Sequence, residues 1–449
     1  MSKYSAEQIT AWRESDRKHH FHAMTTPKQH KEGSVDSLFL THAEGIYLYD
    51  SDGKRYQDAL SGLGCVNIGY GNERLANAAA EAMRELSFQN TYFGATNRWA
   101  CEFSEKLAQH APKSFDHFFY ANSGSEANES AIKMAWHYWR LKGKPSKKTI
   151  ITRELGYHGT TIFACSATGM EVYHPQFALP METPLLSKIP ATYYWRDGAS
   201  LTAEEYGKKS ARDLEERIKQ LGADNVAAFI AEPIIGAGGM ITPPPGYWQE
   251  INRICHEYDV LLIIDEVVTG FGKTGKWFAT ETFGIDADFI TMAKGITSAY
   301  VPLSAVAVGG RATKVLLQDE ALFVHGFTNN AHPVTMATAL ANLSVIEEQG
   351  LVETVADELG PKFALRLQEL CTHPLVGEVR HCGVIGAIEL VADSDGNIAQ
   401  AFAERAEARG ALVRPIGQST IGMVLPMITT GEQVDDLFGI LQAVLAELS

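Results

Sequence analysis

At 449 residues, 45% of them apolar and 21% charged, the chain is long enough to bury a sizeable core, as two domains or as one large α/β body with an appendage. Its formal net charge of −15 argues against nucleic acid or an anionic membrane as partner, because both demand a basic face; no apolar run reaches the roughly 18 residues of a membrane helix, and the polar N-terminus lacks a secretory core, so a cytoplasmic protein is expected. The six cysteines, Cys65, Cys101, Cys165, Cys255, Cys371 and Cys382, include no C-x-x-C pair, which points to reduced, packed thiols and away from a disulfide framework or zinc site.

The first 35 residues mix charge, histidine and aromatics and predict a helix followed by a loop ending near Pro27. The run HHFH from His19 is of a kind that can bind metal, but no second ligand cluster accompanies it, and no metal site is expected. IYLYDSDGKRYQDAL from Ile46 alternates around Asp52-Gly53, the signature of a hairpin with a type I′ turn. SGLGCVNIGYGN from Ser61 is too glycine-rich for long regular structure and reads as a loop leading into a helix over 73–86.

FDHFFYANSGSEANESAIKMAWHYWR, from Phe115, predicts a short strand over 118–120, a small-residue turn at Ser123, Gly124 and Ser125, and a helix marked by Ala127, Ala131, Met134, Ala135 and Tyr138. A helix N-terminus after such a turn is the geometry of an anion site, since unpaired amides converge where the helix dipole is positive. A capping box from Ser123 to Glu126 explains the same residues without a ligand.

A strand over 149–152 then leads to GYHGTT, where Tyr157 falls at a strand end between glycines. VAAFIAEP from Val226 is a strand that ends in a second acid, Glu232, and a helix over 248–258 returns the chain to LLIID from Leu261. That aliphatic run reads as a strand buried on both faces, so Asp265 stands at its carboxyl end, where open α/β sheets bind ligands. A further run over 288–292 ends near Lys294. The alternation of strand and helix implies a parallel sheet with right-handed crossovers. A carboxylate and an amine then face one crevice, which suits a protonated heteroaromatic cofactor carrying an aldehyde, although a lone Asp after a strand is more often a turn former and a lone Lys a solvated charge. Gly270, Gly272 and Gly275 spell G-x-G-x-x-G, a rival dinucleotide fingerprint, but four residues separate it from its strand.

Beyond VHGFTNNAHPVTMATAL the pattern changes to long helices over 334–348 and 351–370, then strands in GVIGAIELV and ALVRPI framing a helix over 401–409, and a last helix behind a Thr430 to Gln433 capping box. The expected organisation is an N-terminal segment (1–60) packing with the small domain, a large cofactor-binding domain (61–326) and a C-terminal small α+β domain (327–449).

Together, NSGSEAN, GYHG, IIDEVVTGFGKTG, MAKG and HGFTNNAHP resemble the class III pyridoxal-phosphate-dependent aminotransferases, in the branch of ω-amino-acid and amine:pyruvate transaminases. The resemblance covers nearly the whole chain from about Ser34. It implies the type I fold of such enzymes, with a mixed, mostly parallel sheet flanked by helices, and pyridoxal 5′-phosphate as cofactor. It further implies ping-pong transfer from an amine or ω-amino acid to a keto acid such as pyruvate, and a homodimer with shared active sites, without saying whether dimers pair into tetramers.

Residue by residue, Lys294 resembles the lysine that bonds to the cofactor aldehyde and moves the proton; a lowered pKa makes it a nucleophile and base. Asp265 matches the partner of the pyridine nitrogen, which a nearby carboxylate keeps protonated so that the ring accepts electrons. Ser123, Gly124 and Ser125 resemble the phosphate cradle, and Thr328 a hydroxyl that reaches the phosphate from the neighbouring subunit. Tyr157 resembles the ring stacked on the cofactor, with Val267 on the other face, and Glu232 an acid near the cofactor; both Tyr157 and Glu232 also admit purely structural roles. Arg414 resembles the arginine whose fork binds a substrate carboxylate. Tyr92 and Phe93 match aromatics lining the substrate site from the partner. Gly64 departs from the pattern, since relatives often carry a bulky aromatic directly after SGL. A nucleotide-dependent dehydrogenase and a non-catalytic scaffold of the same fold stand as the alternatives.

Overall fold

A computed structural model of the chain describes every residue except 1–3, 35–37, 182, 199 and 392–395. The alternating run after Ile46 forms β2 (Tyr47–Asp50) and β3 (Arg55–Asp58), with β1 (Leu40–Glu44) antiparallel to β2. The turn is not type I′: Gly53 has φ 81° but Asp52 does not enter the left-handed region. Gly53 N instead donates to Asp50 O, and Asp50 N to Lys54 O, the pattern of a longer loop closed by a left-handed glycine. The first helix, Ala6–His19, and the loop that ends at Pro27 are as expected, and proline at the first helical position then starts a second helix, Pro27–Glu32.

Seven strands make the main sheet: β4 (His117–Ala121), β5 (Thr149–Arg153), β6 (Leu186–Ile189), β7 (Val226–Ala231), β8 (Leu261–Asp265), β9 (Phe289–Met292) and β10 (Ser304–Val308), in the order β4-β10-β9-β8-β7-β5-β6. All pairings from β9 to β6 are parallel, and β10 alone runs against its two neighbours. The sheet is therefore mixed and mostly parallel, as the family resemblance implies, and not purely parallel. Its strands carry no alternation because both faces are covered. Leu261 and Ile263 pack with Ala131, Met134 and Tyr138 of helix Gly124–Leu141, while Leu262 and Ile264 pack with Leu214, Trp248 and Ile251 of helices Ala203–Leu221 and Tyr247–Glu257. Each such large side chain contributes about 2 kcal/mol by leaving water, and a charge at Ala131, fully buried on the helix's inner face, would break the layer.

The second half builds an antiparallel sheet from β11 (Val376–Cys382) and β12 (Ile385–Leu390) together with later strands. The stretch ALVRPI is not one strand but two. Ala411–Leu412 (β13) runs parallel to β3, and Arg414–Ile416 (β14) pairs with Thr420–Val424 (β15). Pro415 has no N–H to give a ladder, so β14 sits at the edge of the order β11-β12-β15-β14. The helical run over 351–370 contains a π turn, Val355–Leu359, directly before Gly360 and Pro361, where the missing proline donor widens the ladder. No helix among the described residues is long and apolar enough to cross a membrane.

Candidate active site

Parallel strands deliver their following loops to one edge, and the carboxyl ends of β4, β5, β7, β8 and β9 lead directly into Ser123, Tyr157, Glu232, Asp265 and Lys294. After β4, Ser123 caps helix Gly124–Leu141 by accepting from Glu126 N at 3.2 Å. The expected capping box does not close: Glu126 Oε2 accepts from Asn122 N at 2.7 Å, not from Ser123. The amides of Gly124 and Ser125 make no hydrogen bond to any described residue, and Ser125 Oγ accepts from Thr160 N at 3.0 Å. A Cβ on Gly124 would stand 3.2 Å from both methyls of Val267, so glycine here lets the helix start approach the loop after β8. The result is an open anion cradle at a helix N-terminus.

Asp265 is 3% exposed, and its oxygens are held on three sides. Oδ2 accepts from Asn128 Nδ2 at 2.8 Å and lies 2.9 Å from His158 Nδ1, while Oδ1 accepts from Val267 N at 3.1 Å. Asn128 is itself fixed, donating to His158 O at 2.8 Å and accepting from Thr291 Oγ1 at 2.7 Å. Since the carboxylate accepts, Nδ1 of His158 carries the proton, and its buried Nε2 makes no hydrogen bond. Sequence reasoning missed Asn128 and His158. Their signals were a polar residue in the buried stripe of a helix and a histidine inside the GYHG turn.

Glu232 is 4% exposed and accepts from Tyr157 N at 3.2 Å and Gly236 N at 3.0 Å. Burial pushes its carboxyl pKa up, against the nearby His158 and Arg153. Arg153, 2% exposed, donates to Glu232 O, so two strand ends are tied together. Burial also raises the Tyr157 phenol, with Arg414 among the groups that oppose it, and the ring lies 5.3 Å from that of Tyr173.

Lys294 follows β9 with φ 48°, a left-handed conformation that is strained for a non-glycine residue. The residue as a whole is half-buried, and its amine makes no hydrogen bond to any described residue. Low-dielectric surroundings push its pKa below the lysine range, against the attraction of Cys65 and Asp265; an amine of this kind is the form that attacks carbonyls and takes up protons. Arg414 is half-buried on β14, and its guanidinium likewise has no hydrogen bond or ion pair with any described residue. Gly64 has φ 70°, and a Cβ there would meet Val268 at 3.5 Å and Val424 at 3.8 Å.

Tyr92, Phe93 and Thr328 do not join this cluster within one chain. A Cβ on Gly326 would come 2.7 Å from Tyr92 Oη, so the loops carrying them adjoin each other, with Phe93 92% exposed and Thr328 exposed. The G-x-G-x-x-G glycines serve packing: Gly272 abuts Met427 and Gly275 the backbone of Ala356. No helix starts at that turn, which removes the dinucleotide reading.

An amine and a clamped carboxylate at adjacent strand ends, beside an anion cradle, fit an anionic, nitrogen-heteroaromatic aldehyde. The model for the class-III aminotransferases matches residues 29–445. The chain is 40% identical over 443 residues to a putrescine–pyruvate aminotransferase of Pseudomonas aeruginosa, covering 97% of this chain and 96% of that one. It is 39% identical over 438 residues to a diaminobutyrate–2-oxoglutarate transaminase of Halomonas elongata, covering 94% and 93%. The solved structure of the ω-transaminase from Pseudomonas jessenii in complex with PMP superposes with a TM-score of 0.90 at 36% identity, over 97% of each chain. The chain belongs to the class-III aminotransferases. It is a pyridoxal-phosphate-dependent transaminase of the type I fold.

Proposed function

We propose that this transaminase takes a terminal amino group from a diamine or ω-amino acid and delivers it to pyruvate or a similar keto acid. The carrying observation is that five strand ends converge on one edge while Arg414 stands there without a partner, as a receptor for a carboxylate. The likeness to a putrescine–pyruvate aminotransferase supports the donor class.

The bound cofactor supplies the aldehyde that takes up the amino group and the ring that accepts electrons. Lys294 would hold the cofactor aldehyde and move the proton, and its burial lowers its pKa and so favours the free amine that this work requires. Asp265, oriented by Asn128 and His158, keeps a positive ring nitrogen paired. Ser123, Gly124 and Ser125 hold the phosphate with amides and hydroxyls at the dipole's positive end. Tyr157 and Val267 confine the ring from opposite faces, and Glu232 fixes the Tyr157 loop. Arg414 binds the acceptor carboxylate, and Gly64 leaves room for an extended donor.

In this reading the active unit is a homodimer. The exposed Phe93, Leu322 and Val324, at 92%, 74% and 83%, are large apolar side chains that a second copy would cover, bringing Tyr92, Phe93 and Thr328 to its site. The domain boundaries 1–60, 61–326 and 327–449 belong to the same proposal. The test is a panel of amine donors, including putrescine, monoamines and ω-amino acids, against pyruvate and 2-oxoglutarate. Turnover of terminal amines with pyruvate is expected; activity restricted to α-amino acids would overturn the donor class, and exclusive use of 2-oxoglutarate the acceptor.

A further inference from the structure

The first two helices bring together chemistry that the transaminase site does not use. Asp16, in the last turn but one of helix Ala6–His19, points to the loop that follows and to helix Pro27–Glu32. Its Oδ1 lies 3.0 Å from His20 Nδ1 and 2.9 Å from His22 Nε2, and its Oδ2 lies 3.4 Å from His30 Nε2. One donor atom from each of Asp16, His22 and His30 falls within 4.8 Å of the others. The rings of His22 and His30 face each other, 3.9 Å apart and tilted by 31°. Oδ1 of Asp16 is hydrogen-bonded to both His20 and His22, and His30 is the imidazole left out. Its side chain is 7% exposed, yet its buried Nε2 makes no hydrogen bond. A buried nitrogen in that condition costs about 1–3 kcal/mol unless something other than protein takes its lone pair.

We propose that Asp16, His22 and His30 form a site for a divalent transition-metal ion of the Zn2+ type. Imidazole nitrogen and carboxylate oxygen are the donors Zn2+ takes at about 2.0–2.2 Å, which sets neighbouring ligand atoms of a tetrahedral site roughly 3.3 Å apart. Asp16 Oδ1 stands 2.9 Å from His22 Nε2 and Oδ2 3.4 Å from His30 Nε2, so each oxygen lies near that spacing from one imidazole. A hard cation fits poorly, since Ca2+ and Mg2+ need several oxygens and this cluster offers one carboxylate beside imidazole nitrogens, which suit Zn2+. The ion would clip the second helix onto the first, which is anchored to the chain before β1 by Trp12 stacked on Phe39 at 6.3 Å. The histidine run lacks a second ligand cluster in sequence; the fold supplies Asp16 and His30 from two helices.

The test uses the full-length, untagged holoenzyme, treated with a chelator and then titrated with Zn2+ against a chromophoric competitor. One Zn2+ per chain is expected. His30→Ala and His22→Ala should each weaken uptake at least about tenfold; His22 is 25% exposed, so its substitution separates binding from folding. Cys101 and Cys371 are exposed thiols that also take Zn2+, and Cys101→Ser with Cys371→Ser should leave the uptake in place. Absence of stoichiometric uptake by the folded protein, uptake that survives both histidine substitutions, or uptake that vanishes with the thiols overturns the site.

Discussion

Replacing Lys273 by methionine should stabilise the protein, and the gain should fade in alkali. Lys273 is 1% exposed, and its ammonium has only Gly270 O, at 3.5 Å, as a hydrogen-bond acceptor. It lies against the backbone after Lys294, where a Cβ on Gly295 would come 3.0 Å from Nζ. Burial pushes its pKa from 10.5 down to about 7, with Lys294 acting in the same direction and Cys65 and Glu266 against it. The unfolded chain keeps this proton up to its own pKa, whereas the folded chain has lost it above about 7. Between those values the unfolded state binds more protons, so this group makes stability rise with pH, and below about pH 7 its full cost applies. A drop of this size corresponds to roughly 5 kcal/mol. Local relaxation and the lost contact to Gly270 reduce what methionine recovers, which leaves about 2–4 kcal/mol. Urea unfolding of wild type and Lys273→Met, at fixed protein and saturating cofactor, measures the difference at about pH 6 and about pH 10. Equal gains at both would refute the charge argument in favour of packing. A loss of stability at the lower pH would mean that the ammonium has a partner strong enough to offset its burial.

Lys294→Ala should reduce turnover below detection while the unfolding midpoint stays within the range of a surface change, because the lost group is a base and nucleophile; retained transamination would end its assignment. Asn128→Leu leaves His158 O and Thr291 Oγ1 unpaired and Asp265 with one clamp fewer, so denaturant unfolding should show a loss of about 2–4 kcal/mol. An unchanged midpoint would mean that water replaces the amide at no cost. Thr328→Val should increase cofactor release on dilution, followed by fluorescence of the released cofactor, and release that is independent of subunit concentration would sever Thr328 from the partner's site. Arg414→Ala should lower kcat/KM for pyruvate by on the order of 100-fold, as two charge-assisted hydrogen bonds are lost, while the half-reaction with a simple monoamine changes little. Equal losses in both would misplace the arginine.

The buried strands and the acids at their ends were legible because a doubly covered sheet writes itself as uninterrupted aliphatic runs: the stretch beginning at Leu261 places Asp265 at its last residue. What sequence did not reveal depends on partners distant along the chain. Nothing near Asn128 tells that its amide reaches Asp265, 137 positions away. The single reversed strand, Ser304–Val308, is as apolar as its neighbours, and only its pairing sets its direction. ALVRPI carries a continuous strand pattern, yet the chain changes sheets at Val413 because each half finds a different open edge. Gly53 was placed correctly as the turn's glycine, but loop length, which decides the turn type, depends on which pair of residues closes the ladder.

On the proposed assignment the site divides into a fixed side and an adaptable side, a division that suits the two kinds of substrate the proposed reaction requires. Asp265 has contacts from Asn128, His158 and Val267, so its carboxylate is fixed in place whatever substrate is bound. Arg414 has none of these restraints. A guanidinium held unpaired in an apolar pocket would be costly whenever a donor without a carboxylate occupied it. Half-buried on an edge strand, with a long stem and no hydrogen bond to lose, it can turn toward solvent for an amine and back for a keto acid. Gly64 has a complementary property: its positive φ strains any side chain, so on the proposed assignment the room for a long donor would be secured by backbone conformation as well as by the absence of a side chain. An enlarged residue at that position would therefore have to overcome strain before it could narrow the pocket, which on that assignment makes Arg414, and not Gly64, the element that responds to the substrate.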